Sequence, residues 1–132
     1  MATLITDAER NADADRAAGV IAYLSLHTAT TGVTGAAEAS GGSPAYARLA
    51  PTFNAAGAVG PLGGTAQPAT VGVAWSSEVT FDVAAGSYTN WGGWSAVTAG
   101  TFRRGNVLAA TQSPGSQGQI KLSVGVGPYA GT

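Results

Sequence analysis

The run Glu78-Val79-Thr80-Phe81-Asp82-Val83 alternates without a break. Val79, Phe81 and Val83 point one way and Glu78, Thr80 and Asp82 the other. This is the period-2 pattern of a strand with one face in a core and the other towards water. Outward from it, the chain reads as short strands separated by Gly, Pro and Ser. Towards the C-terminus, Ala85-Gly86-Ser87 turns the chain into Tyr88–Val97, and Thr98-Ala99-Gly100 turns it into Thr101–Ala110. The last strand, Gln119–Val126, sets Ile120, Leu122 and Val124 against Lys121 and Ser123. Towards the N-terminus, Val71–Trp75 is one candidate and Ala45–Phe53 another, the latter at an edge or ending near Pro51, which has no N–H to give a ladder. Val20–Thr28 is the first strand, with Ala22, Leu24 and Leu26 on one face and Tyr23, Ser25 and His27 on the other.

About six to eight short strands, with no helices available as crossovers, predict a mainly β fold. The expected form is an antiparallel β-sandwich or small barrel. One helix is expected, over 6–18. Thr6 and Glu9 have the spacing of a capping box, Asp7 and Glu9 put negative charge at the positive end of the helix dipole, and Gly19 is a stop. The alanine-rich helix lacks a large apolar face and must lean on a neighbour. A chain of 132 residues without an internal repeat is expected to be a single β-rich domain, 1–132.

Composition narrows the function classes. Apolar residues make up 45%, enough for a core, but charged residues only 10%, against ~25% in an average soluble protein. With a net charge of −1, the surface repels its neighbours weakly, which suits a subunit of an assembly. There is no basic excess to neutralise phosphates, so nucleic acid is not expected as a partner. No apolar run is long enough to span a membrane, and MATLITDAER lacks the basic start and apolar stretch of a signal peptide. Zero cysteines removes disulfides and thiol chemistry.

Residues 28–45, between the first strand and Tyr46, form a charge-poor Gly/Thr/Ala/Ser segment in which Glu38 is the sole charge. Connections in compact domains are usually ~4–6 residues, so a segment this long needs a reason. It is read here as an extended surface arm that packs on a partner. A second small-residue loop is expected over Ala55–Pro68.

Candidate chemistry is thin. His27 is the only histidine, and its place near a strand end points to a hydrogen-bonded structural residue. Asn11, Asp13 and Asp15 resemble the start of a calcium loop, but Arg16 stands where glycine is needed and Ala22 where glutamate is needed. No phosphate loop and no Ser–His–Asp arrangement can be argued. No catalytic residue, metal site or cofactor is therefore expected. Trp94 is assigned to the core, beside a strand interrupted at Gly92-Gly93, while Tyr88 and Trp91 are candidate contact residues. Arg103-Arg104 has two readings, an intersubunit salt bridge or plain solvation.

The text SLHTATTGVTGAAEASGGSPAYAR, Ser25 to Arg48, resembles a family of small structural proteins of tailed bacteriophages, especially those of actinobacteria. The resemblance lies in Ser25-Leu26-His27-Thr28-Ala29, the pairs Thr31-Gly32 and Thr34-Gly35, Glu38, Ser40-Gly41-Gly42 and Tyr46-Ala47-Arg48. Val79-Thr80-Phe81, Gly93-Trp94-Ser95-Ala96 and Gly100-Thr101-Phe102 look like later blocks, so the likeness runs from about Ser25 to Ala110. Members include tail fibre proteins and head decoration proteins. The resemblance implies a non-enzymatic virion component, assembled in the host cytoplasm. The expected role is a capsid decoration or cement protein lying across capsid subunits. The alternative is a tail or tail-fibre protein contacting host-surface glycan through Tyr88 and Trp91. Major capsid protein or tail proteins are the expected partners, with homo-oligomerisation, a trimer by analogy. His27, Thr31, Glu38, Tyr46, Arg48, Tyr88 and Trp91 are the candidate interface residues.

Overall fold

The computed structural model describes residues 6–57 and 71–127. Most of the expected Ala55–Pro68 loop lies outside them. The described residues form one helix and seven strands, all paired antiparallel, with no closed barrel among them. The fold is mainly β, consistent with a small β-sandwich.

The chain gathers into two compact units. The first comprises the described parts of Met1–Gly19, Thr52–Glu78 and Ser123–Thr132; the second is Val20–Pro51 with Val79–Leu122. In the first unit, helix α1 (Asp7–Gly19) starts where expected. The Glu9 N–H donates to Thr6 Oγ1 at 3.2 Å, satisfying one of the free donors of the first turn. The only buried side chains of α1 are Ala14 and Ala18, one turn apart. They face a two-stranded ladder of β2 (Ala74–Trp75) and β7 (Gly125–Val126). The Asn11/Asp13/Asp15 alternation is used for anchoring: Asn11 Oδ1 accepts from Gly72 N at 2.8 Å, and Asp15 Oδ1 from Ala56 N at 2.7 Å. Asp13 pairs with Arg16.

The second unit holds the stretch that decides the fold. Strand β3 (Val79–Val83) pairs with β6 (Gly118–Leu122), so that Phe81 lies opposite Ile120 and Val79 opposite Leu122, all buried. On the other face Gln119 Nε2 donates to Asp82 across the ladder at 3.2 Å. A three-stranded sheet in the order β1-β4-β5 comprises β1 (Tyr23–His27), β4 (Tyr88–Trp94) and β5 (Phe102–Gln112). The chain through 45–53 does not become a strand. Its ladder pairing is confined to isolated bridges, Leu49 to Leu24 and Phe53 to Ser76, on either side of Pro51, which has no N–H to give a ladder. The interruption expected at Gly92-Gly93 is likewise absent: β4 runs through both glycines, with Gly92 paired to Ser25 on one side and Gly105 on the other.

Candidate functional site

The Ser25–Arg48 text folds into a polar clasp at the β1 edge. His27, fully buried at the end of β1, places Nδ1 2.7 Å from the Ala36 carbonyl and Nε2 2.7 Å from Ser25 Oγ. Trp94 Nε1 donates to the same Ser25 oxygen at 2.9 Å. A carbonyl only accepts, so Nδ1 carries the ring proton. In the neutral ring Nε2 then accepts from the Ser25 hydroxyl, whose oxygen takes the indole N–H. The neutral imidazole is the form that suits this buried place. Burial pushes its pKa below the ordinary value, outweighing the support that the Ala36 carbonyl and Glu38 give the charged form.

The space for this arrangement is made by glycine. A Cβ on Gly92 would come within 2.7 Å of both His27 Nε2 and Ser25 Oγ. On Gly105, its cross-strand partner, a Cβ would overlap Thr31, which is almost fully buried there. Gly35 has a left-handed φ of +75°, and its α-carbon lies where a Cβ would reach Trp94 at 2.5 Å. The glycines inside what reads as a strand thus mark close approach of the loop rather than a break.

Glu38 returns the loop to the sheet, bridging to His27, and Ala39 N–H donates to the Leu26 carbonyl at 2.8 Å. Arg48 meets the Glu38 carboxylate bidentately, Nε to Oε2 at 2.9 Å and Nη2 to Oε1 at 2.8 Å. Its remaining Nη1 donates to the carbonyls of Ala96 and Ala99, at 3.0 and 2.8 Å. The guanidinium also lies over the Trp94 ring, 3.7 Å from the centroid. Burial raises the Glu38 pKa, but the hydrogen bonds from Arg48 and Tyr46 and the Arg48 charge bring it below the ordinary range. Tyr46 donates to Glu38 Oε2 at 2.9 Å, accepts from Leu26 N–H at 3.1 Å and stacks on Phe81. Burial raises its own pKa.

Five of the candidate residues, His27, Thr31, Glu38, Tyr46 and Arg48, therefore come together as the ties that hold 28–45 in shape. Most positions of that segment face solvent, Val33 at 92% exposure. Tyr88 and Trp91, on β4, are 3% and 6% exposed, Trp91 opposite Leu26 in the ladder, and Tyr88 donates to the Ala84 carbonyl at 2.8 Å. Trp94 is buried, as expected. Ser25, Phe102 and the glycines were not among the candidates, although Gly-Gly beside a tryptophan in a strand is the signal of close packing that marks them. As a chemical device the Ser25–His27 pair is closed. Both residues are fully buried, and the second ring nitrogen sits on a backbone carbonyl instead of a carboxylate.

The described residues thus present a long surface loop that buried polar ties pin to the edge of the β1-β4-β5 sheet. The family model described as podophage GP4 fiber I protein gp80 matches residues 4–126. The chain belongs to that family, a family of phage structural proteins of the fibre type. Comparison with curated proteins gave no match, and comparison with solved structures gave none.

Proposed function

We propose that the protein is a non-enzymatic fibre-associated component of the phage virion, contacting neighbouring tail or fibre proteins through the exposed positions of 28–45. The observation that carries this is the family match over nearly the whole chain, whose description names a fibre. The fibre description favours this reading over attachment to the capsid lattice. The clasp supports it too: a loop fixed at Thr31, Glu38 and Ala39 presents Val33 and its neighbours without the entropy cost of ordering a free arm on binding. Contact with host glycan through Tyr88 and Trp91 gains no support, since neither ring offers an open face for a sugar to stack on. Actinobacterial hosts belong to the proposal through the Ser25–Arg48 text.

Immunogold electron microscopy of purified particles tests the location. Label along the tail fibres is the expected result. Label confined to heads would overturn the fibre reading and restore the capsid decoration role.

A further inference from the structure

The first half of the pinned loop, 28–37, is tied to the β1-β4-β5 sheet through one ionisable ring. His27 is fully buried, and its two nitrogens span the joint. Nδ1 donates to the Ala36 carbonyl of the loop at 2.7 Å, and Nε2 lies 2.7 Å from Ser25 Oγ on the sheet. Beside it the Thr28 N–H donates to the Ala37 carbonyl at 3.0 Å. Thr31 is buried against Gly105, and Gly35 against Trp94 and Phe102. The sheet residues about the ring and its Ser25 partner are Gly92, Trp94 and Phe102, none of them ionisable. The charged groups that face the ring are Glu38 and Arg48, already paired with each other, and Tyr46 donates to the same carboxylate.

We propose that His27 is an acid-release latch: with its ring neutral, 28–37 lies closed on the sheet, and protonation at Nε2 opens that segment while the strands stay paired. Protonation turns Nε2 from an acceptor into a donor. Ser25 Oγ already takes the Trp94 indole N–H at 2.9 Å, so it must accept a second N–H and turn its own proton off the ring. The new positive charge is buried, and it shares Glu38 with the Arg48 guanidinium. Opening the loop admits water to the ring and relieves both. It gives up the His27–Ala36 and Thr28–Ala37 bonds, whereas freeing β1 from β4 would break a five-residue ladder, so the loop is the cheaper element to open. Burial holds the ring's pKa below the ordinary 6.5, so closure is favoured above that pH and weakens as pH falls below it. Glu38, held below its ordinary 4.5, stays ionised through this window, and its pairing with Arg48 is the hinge. The latch is a property of the chain alone; that it governs contact with a partner rests on the fibre-associated role of 28–45.

One histidine and no native cysteine make the test direct. In the wild-type protein, NMR should show the Thr28 amide losing hydrogen-exchange protection with the midpoint at which the His27 ring titrates. The Ala39 amide, bonded to the Leu26 carbonyl beyond the hinge, should keep its protection. Thiol labelling with 4,4′-dithiodipyridine, which reacts in mild acid, reads the same opening. Thr31→Cys, at a buried loop position, should gain about tenfold in rate relative to exposed Val33→Cys between about pH 7 and 5. Val83→Cys, in the core of β3, should stay slow. His27→Asn keeps a donor close to the Nδ1 position but cannot ionise, and should abolish the gain at Thr31→Cys. Three results would each overturn the latch: Thr28 protection and Thr31→Cys labelling that ignore pH, Ala39 and Val83→Cys giving way in step with them, or a gain that survives His27→Asn. Fibre label in immunogold microscopy alongside any of these would leave the fibre assignment standing and remove the latch alone.

Discussion

One guanidinium, that of Arg48, is shared between the Glu38 carboxylate, the Ala96 and Ala99 carbonyls and the face of Trp94. Its side chain is 8% exposed and that of Glu38 23%, so the pair is screened less than a surface ion pair. Arg48→Ala leaves a half-buried carboxylate and two carbonyls without this donor, and should cost about 2–3 kcal/mol in urea unfolding. Arg48→Lys keeps the charge but not the planar fork and should recover less than half of the loss. An Arg48→Ala variant as stable as the wild type would mean that the ion pair only breaks even against its desolvation. His27 makes a prediction of opposite character, because here the neutral form is the one that fits. Its folded pKa lies below the ordinary 6.5, so the unfolded chain binds the extra proton first and stability falls as pH drops below 6.5. Glu38, held below its ordinary 4.5, adds a second loss only as pH falls through that lower range. Chemical denaturation of His27→Asn between about pH 6.5 and 4.5 should therefore give a flatter pH dependence than the wild type, while the steeper fall at lower pH persists. A wild-type stability that is flat across the upper window would remove the buried neutral histidine from this account.

At the scale of elements, what was legible in the sequence followed from local rules. The period-2 alternation of Val79–Val83 and the Thr6/Glu9 start of α1 each need only a few neighbours to be read, and both appear as expected. The 45–53 segment stops short of a strand at Pro51, which the sequence does signal, but that its pairing shrinks to single bridges with Leu24 and Ser76 is a matter of topology that no local pattern reports. Gly92-Gly93 misled for a related reason. A glycine in a strand costs entropy and reads as a break, yet here each one clears room for a residue distant in sequence. The candidate cluster was legible in part: Glu38, Tyr46 and Arg48 are near in sequence, whereas the Trp94 and Ser25 contacts depend on the β1–β4 register. The two glycines themselves make a test. Gly92→Ala drives a methyl into the His27–Ser25 hydrogen bond and should cost about 2–3 kcal/mol, whereas Gly93→Ala meets the side chain of Ile21 at 3.0–3.2 Å. The isoleucine can shift, so Gly93→Ala should cost roughly half as much or less in thermal or urea unfolding. Equal costs for the two variants would show that the Ser25–His27 relay has no special claim on that space.

Across the whole molecule, the informative quantity is how little charge there is. With charged residues at 10% and a net charge of −1, the chain carries few groups able to attract a partner over a distance. Two of these charges, Glu38 and Arg48, are spent on each other inside the clasp. Whatever holds this protein in a virion must then rest on apolar contact, shape and backbone hydrogen bonds, which salt screens weakly or not at all. Surfaces joined by opposite charge behave differently, since screening weakens them steeply as ionic strength rises. Washing purified particles with 0.05 to 1 M sodium chloride and measuring the protein retained by quantitative mass spectrometry separates the two cases. Retention should be unchanged across the series, and moderate urea should release the protein before salt does. Release by salt alone would mean that the few exposed charges, such as Arg103 and Lys121, carry the attachment; charge-reversal variants at those positions would then identify the binding face in place of the 28–45 loop.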